Sequence, residues 1–409
     1  MARKALGIKS PWRIRRVDFN EERSVVEVLV EHKGGGGPCP TCGRKSPGYD
    51  TVQRRWRHLD LWEHETWIVG ELPRIQCEEH GILQLQVPWS EARSRFTRPF
   101  ECVVIDWLKE ASVQAVARMF RLGWKQVYNI QRRAVERGLA RRGPMQATRI
   151  GVDETSFQKR HEYVTLVTDL DGGGVLYVAD DRKQSSLEGF FEPLSREQRR
   201  SIEVVAMDMH MPYIMAAAWY VPDLEDKIAF DRFHVAKLLG DAVDQIRRQE
   251  NRELAARGDE RLKGTKYHWL KDPKAQTRKV REAVSALRVA GLRVARAWAV
   301  KEAARKLWSF KSRTWATKAW TKLCDWASRT RLQPMVRASR TLRYHMIGIV
   351  NAIVHGVTNA TAESVNSKVQ DLKRRANGYR NRNRFRSAIL FHLGKLDLYP
   401  RHEPTHSNG

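Results

Sequence analysis

Two groups of side chains in this sequence have types and spacings that do chemistry. The first is Cys39-x2-Cys42 followed by Cys77-x2-His80. Three thiols and an imidazole suit tetrahedral Zn2+ and leave no open position, so the site they predict is structural. His58 and His64 lie between the two pairs, and either is an alternative to His80 as fourth ligand. The second group is three acids far apart in the chain, Asp153, Asp208 and Glu363. Asp153 follows Ile150-Gly151-Val152, and Asp208 follows Val204-Val205-Ala206-Met207. Glu363 opens a helix whose apolar face is Val365, Val369 and Leu372. Carboxylates at strand ends, joined by one from a helix packed on the same sheet, are oxygen donors for two Mg2+ ions (Mn2+ in their place). Ions held roughly 3.5–4 Å apart activate a water or 3′-hydroxyl against a phosphodiester. One strand-terminal Asp is more often a turn former; the order and context of all three point to a metal site. Asp231 and His234 supply a rival acid and a histidine able to orient the site.

Strands and helices must bring such distant acids together. Short strands are expected at 149–154, 163–169, 175–180, 203–207 and 227–231, with a turn at Asp171-Gly172-Gly173 and helices at 186–194 and 213–220. The order β-β-β-α-β-α-β is that of an RNase H-like sheet, in which the first and fourth strands are neighbours and Asp153 meets Asp208. From 235 to about 350 the chain reads as helical, basic and rich in Trp, including Trp269, Trp298, Trp308, Trp315, Trp320 and Trp326, which are expected in its core. A helix at 361–372 is followed by an Asn377-Gly378 stop and a further helix at about 384–396.

Ahead of this lie a β-hairpin over 17–30, a hinge at Gly34–Gly37, strand-like stretches at 66–72 and 82–87 around the Cys and His pairs, and helical period from 99 to 139 broken at Leu122-Gly123. The segment Ser112–Arg137 has helix-turn-helix grammar. Its second helix carries Lys125, Gln126, Asn129, Gln131, Arg132 and Arg133, side chains that reach base edges and phosphates when such a helix enters a major groove. A second basic run, Lys368, Lys373, Arg374, Arg375, Arg380, Arg382, Arg384 and Arg386, follows Glu363 and is expected to grip phosphates.

The chain is 409 residues long, with 74 Lys and Arg against 47 Asp and Glu, a formal charge of +27. That excess attracts a polyanion, and nucleic acid is the commonest one. The basic segment Met1–Ser10 lacks a signal peptide's apolar run, and no stretch reaches the roughly 20 apolar residues that span a bilayer. A cytoplasmic, nucleoid-associated protein with no membrane partner is expected, and five cysteines fit a reducing compartment.

These motifs, in this order, resemble those of the ISL-three family of bacterial insertion-sequence transposases. The residues carrying the likeness are both zinc-type pairs, Arg57-His58-Leu59-Asp60, the helix-turn-helix, Gly151-Val152-Asp153-Glu154 and Ala206-Met207-Asp208-Met209. To these are added Phe230 to His234, Glu363-Ser364-Val365-Asn366 and Lys373 to Arg380. Ser364 stands where family members often carry Gly. The resemblance implies a DDE transposase with Asp153, Asp208 and Glu363 as its acids, Asp231-x2-His234 as an accessory signature, and the helical block as an insertion before the glutamate. It would cleave and join double-stranded DNA at terminal inverted repeats and in target DNA, as a homo-oligomer in a synaptic complex. The alternative is a DNA-binding regulator with an inactive core. The expected fold class is multidomain α+β. It comprises a hairpin and zinc ribbon (1–95), a helix-turn-helix (96–143), an RNase H-like core in two parts (144–240 and 351–400), an all-helical insertion (241–350) and a loose tail (401–409).

Overall fold

The computed structural model describes residues 6, 8, 10–158, 162–357 and 360–401. Asn359, most of the segment Met1–Ser10 and residues 402–409 of the expected loose tail lie outside the described residues. The chain divides into two compact units, one running to Gly143 and resuming at Leu396, the other Pro144–Lys395. No helix among the described residues is long and apolar enough to cross a membrane.

The first unit opens with β1 (Trp12–Asn20), β2 (Val25–His32), β3 (Gly37–Pro38), β4 (Lys45–Ser46), β5 (Gly48–Leu61), β6 (His64–Cys77) and β7 (Gly81–Gln84). Its main sheet has the order β1-β2-β6-β5, with β7 on the far part of β6. Period-two alternation sends Val26, Val28 and Val30 into a core with Trp56, Ile68, Leu72 and Trp89. The expected short strand at 66–72 is instead part of a 14-residue strand paired with another of equal length. Much of β5 is exposed, so it needs few apolar residues, and its Asp, Gln and Arg side chains disguise it in the sequence.

Three helices follow, α1 (Arg98–Glu110), α2 (Val113–Met119) and α3 (Trp124–Arg141). Thr97 and Ser112 cap the first two by accepting from the backbone N–H groups of Phe100 and Ala115, and the Gln126 side-chain Oε1 accepts from Gly123 N–H at the start of α3. Residues 396–400, which the sequence assigns to the closing core helices, belong to this unit. Arg141 donates to the Tyr399 carbonyl at 2.6 Å, Arg137 donates to that of Leu398, and Leu398 is buried. Gly138 is required here, because a Cβ would stand 2.6 Å from that of Leu396.

The second unit contains β8 (Arg149–Gln158), β9 (Glu162–Asp169), β10 (Val175–Asp180), α4 (Gln184–Phe191), α5 (Arg196–Arg200), β11 (Val204–Met207), α6 (Met211–Tyr220), α7 (Leu224–Lys227) and β12 (Ile228–Phe230). The sheet order is β10-β9-β8-β11-β12. The first three strands are antiparallel neighbours, whereas β11 runs parallel to both β8 and β12. Helices α8 (Arg232–Ala255), α9 (Lys266–Leu270), α10 (Arg278–Val289), α11 (Arg293–Leu307), α12 (Arg313–Arg329), α13 (Gln333–Tyr344) and α14 (Met346–Val354) form the block after β12, and α15 (Ala360–Arg375) and α16 (Arg382–Leu393) follow it.

Alternation along the strands gives the sheet two apolar faces. Ile150, Val152, Val167, Val205 and Met207 share one core with α4, α6 and the helical block. Phe157, Val164, Leu166 and Val178 pack instead on Val365, Val369, Phe385 and Ile389 of α15 and α16. Trp269 and Trp320 are fully buried and Trp298 and Trp308 pack on the core, but Trp315 and Trp326 are 62% and 44% exposed, contrary to their expected place in it. Gly348 of α14 lies so close to Phe230 that an added Cβ would stand 2.4 Å from the ring. Gly348→Ala is therefore expected to destabilise the second unit by about 1–3 kcal/mol, the range for overpacking, measured as a lowered urea midpoint with unchanged slope.

Candidate functional site

Strand register builds the acid site. Ala206 pairs with Gly151 across β11 and β8, and Met207 pairs with Phe230 across β11 and β12. Two residues beyond Gly151 on β8 is Asp153, two beyond Ala206 is Asp208, and one beyond Phe230 is Asp231. Three neighbouring strands thus carry an Asp in one row. A cleft at this edge is lined by Asp153, Asp208, Asp231 and His234, with Ala362 of α15 beside them. Glu363 is exposed and is not part of that lining, yet its charge acts on Asp231.

Asp153 Oδ1 accepts from the Glu154 N–H at 2.7 Å, and Oδ2 accepts from the Asn366 side chain at 2.6 Å. Burial lifts the Asp153 carboxyl to about 6; the Glu154 N–H and His234 oppose the rise, and the charges of Asp231 and Asp208 add to it. Asp231 is likewise raised, first by burial, with Glu363 and Asp208 adding to it. It caps α8 by accepting from Phe233 N–H at 2.8 Å, and its other oxygen is 3.6 Å from His234 Nε2. Asp208 Oδ1 accepts from His210 N–H at 3.2 Å. The donor set is all oxygen and over-supplied with negative charge in a partly buried cleft, which suits a hard divalent cation. The trio is not drawn into a closed shell: among the described residues, only the cysteine–histidine group below gathers three or more ligand atoms within 4.8 Å of one another.

Asn366 is the residue that reading the chain as a string overlooks. It lies three positions after Glu363 on the same helix face, and its spacing is the one available signal. Its Nδ2 ties α15 to Asp153, while its Oδ1 is buried without a partner. Gln370 to Thr155 at 2.8 Å and Lys373 to the Ser156 carbonyl at 2.6 Å continue the seam.

Cys39, Cys42, Cys77 and His80 form the second site. Cys42 and Cys77 sulfurs are 3.8 Å apart, and His80 Nδ1 is 3.9 Å from Cys39 and 3.7 Å from Cys77. Tetrahedral Zn–S bonds of about 2.3 Å give edges of ~3.8 Å, so the group fits the ion. Hydrogen bonding from His80 holds the Cys77 thiol down to about 6, toward the thiolate that ligates. Each knuckle turns on a glycine in the left-handed region, Gly43 (φ +75°) and Gly81 (φ +69°).

Neither alternative histidine joins the group. His64 Nδ1 bonds Ser24 Oγ at 2.7 Å, and His58 Nδ1 bonds Thr97 Oγ1 at 2.8 Å. Thr97 Oγ1 also accepts from Phe100 N–H, so the His58–Thr97 pair sits at the buried start of α1. Burial, aided by the Arg57 charge, depresses His58 to about 4. A depressed histidine contributes stability that is complete above 6.5 and lost as pH falls toward 4, here on the order of 3 kcal/mol. Denaturation at pH 7 and 4.5 is expected to show a smaller loss for His58→Gln than for the wild type; equal losses would remove this role.

Of the expected DNA-contacting residues, Lys125, Gln126 and Arg132 are exposed on α3 and Asn129 is half-buried; Arg132 is paired with Glu136 at 2.6 Å. Arg133 turns inward to Glu101, which is 1% exposed and also meets Arg137 and Ser94. Gln131 is buried. In the second run, Arg375 and Arg380 are exposed, and Arg374 pairs with Asp371. Arg382 is engaged by Asp181 at 2.9 Å and Glu162 at 3.3 Å, and Lys373 is held by the Ser156 carbonyl. The run has no acids after Asp371, but the β9–β10 edge supplies them.

Comparison with known proteins gives three matches along the chain. Residues 150–389 match a family model described as transposase, residues 36–80 a zinc-finger of transposase IS204/IS1001/IS1096/IS1165, and residues 85–135 a helix-turn-helix domain of transposase family ISL3. The transposase for insertion sequence element IS1557 of Mycobacterium tuberculosis is 29% identical over 98% of this chain and 96% of that protein. The transposase for insertion sequence element IS1001 of Bordetella parapertussis is 26% identical over 93% and 95%. No solved structure matches.

Proposed function

The chain belongs to the ISL3 family of insertion-sequence transposases, and from that premise we propose that it binds the terminal inverted repeats of an insertion sequence and catalyses DNA strand cleavage and strand transfer with Asp153, Asp208 and Glu363. The observation that carries the reading is the register that sets Asp153 and Asp208 at equivalent positions of adjacent parallel strands, beside the helix that bears Glu363. The strand order supports an RNase H-like core, with the helices from α8 to α14 as its insertion. The boundaries 1–95, 96–143, 144–240, 241–350 and 351–400 are retained as functional modules, with 396–400 moved to the DNA-binding side.

Bound at the acids, Mg2+ or Mn2+ would supply the charge that activates the attacking oxygen and stabilises the leaving one. Asp153, Asp208 and Glu363 would hold it. Asn366 fixes the Asp153 carboxylate, and His234 steadies Asp231 as an accessory acid. Lys125, Gln126, Asn129 and Arg132 of α3 enter the major groove, while Arg375 and Arg380 contact phosphates beside the cut. Zn2+ is structural. Joining two ends calls for at least two protomers.

The test is purified protein on labelled candidate terminal repeats, with Mg2+. Nicking at the element end supports the reading. Binding without nicking supports the regulator instead, a reading favoured by the exposure of Glu363 outside the cleft lining.

A further inference from the structure

A groove of about 450 Å3 lies in the helical block and shares no lining residue with the acid cleft. Its size is that of a small-molecule or nucleotide pocket. Leu292 and Ala295 are buried beneath it, and Arg288, Arg296, Arg329 and Trp326 stand exposed around it. No acid among the described residues lines the groove. None of the three guanidinium groups pairs with a carboxylate among the described residues.

Helix stability accounts for only part of this. Arg288 and Arg329 occupy last turns, where a cation complements the helix dipole. Arg296 is the fourth residue of α11, near the end where the dipole disfavours a cation, so helix electrostatics give no reason for it. Trp326 is 44% exposed although Trp320 on the same helix is fully buried. Residues 241–350 hold 27 of the chain's 74 Lys and Arg but only 10 of its 47 Asp and Glu. The block therefore attracts a polyanion strongly.

We propose that this groove binds one nucleotide of DNA whose base has left the duplex stack, the base lying on the Trp326 indole and its flanking phosphates on Arg288, Arg296 and Arg329. Every base has a π-face, so the site needs no particular sequence. The inference rests on the DNA-binding reading above and adds a class of DNA structure to it.

Two duplexes of one sequence, each carrying 2-aminopurine, test it, one with the label in a single-nucleotide bulge and the other fully paired. Full-length protein is titrated without added divalent cation. The wild type is expected to bind the bulged duplex at least about fivefold tighter, the lower bound for one stacked base, and to quench the label. Trp326→Ala should abolish the preference and leave paired-duplex affinity unchanged, and Trp326→Phe should retain part of it. Arg296→Gln with Arg329→Gln should reduce the log–log salt slope for bulged DNA by about 2. Circular dichroism checks folding, and Trp326 is exposed enough for its loss to be tolerated. Equal affinity of the wild type for both duplexes, or a preference that survives Trp326→Ala, overturns the groove assignment alone. Failure to bind either duplex overturns the DNA-binding reading along with it.

Discussion

Asp153→Asn protein is expected to hold DNA ends as the wild type does and to cut them on the order of a thousandfold more slowly or not at all. The magnitude follows from losing several kcal/mol of charge stabilisation at the reacting phosphate, each 1.36 kcal/mol being about tenfold in rate. Asn is the informative substitution because the fold tolerates it. Its amide oxygen keeps the bond from Glu154 N–H, and Asn366 can turn its unpartnered Oδ1 toward the new NH2 group. Asp208→Asn and Glu363→Gln should give the same phenotype. Gel shift for binding and strand cleavage on labelled ends read the two properties separately. Normal cutting by Asp153→Asn would end the assignment.

Cys42→Ser, or treatment with a strong chelator, is expected to unfold the region of the cysteine knuckles and abolish DNA binding. Apparent zinc-binding energies in zinc-finger peptides are about 10–16 kcal/mol, as large as the ~5–15 kcal/mol that separates a whole domain from its unfolded state. The core around this site is small, with Cys39, Ile75, Cys77 and Leu85 its buried apolar members. Zinc content by atomic spectroscopy, with near-UV circular dichroism, reads the outcome. His64→Ala serves as the control and should retain one zinc per chain, since His64 is committed to Ser24 and Phe19. A full zinc complement and an unchanged melting midpoint in Cys42→Ser would disprove the site.

Local signals in this chain are strong where one physical rule dominates. The strand at Val175–Asp180 has the predicted bounds because turn residues and β-branched side chains coincide there. The hairpin expected over 17–30 is present but extends to Trp12 and His32, and the helix break at Leu122-Gly123 is legible from a glycine that no helix interior favours. Pairing across long separations is a different matter. The ion pairs of Arg133 and Arg382 are not legible in the sequence, because charge on a helix face carries no record of its partner, and Glu101, Glu162 and Asp181 lie 32 to 220 residues away. The zinc ligands were readable as a set, but choosing among three histidines required knowing which imidazoles were already hydrogen bonded. The Asp153–Asp208 row was inferable from strand order, whereas Asn366 depended on which turn of α15 faces β8, a matter of packing depth.

Because the second unit is spliced into the first between Gly143 and Leu396, the support for the helix-turn-helix is made last. A ribosome has finished the sheet, the helical block and α16 before Leu398 emerges to cover Arg137 and Gly138. A premature stop anywhere in that stretch yields a nascent chain that carries the zinc knuckles but lacks the segment that seals α3. Only a chain translated through to this segment can seal α3 behind Arg137 and Gly138.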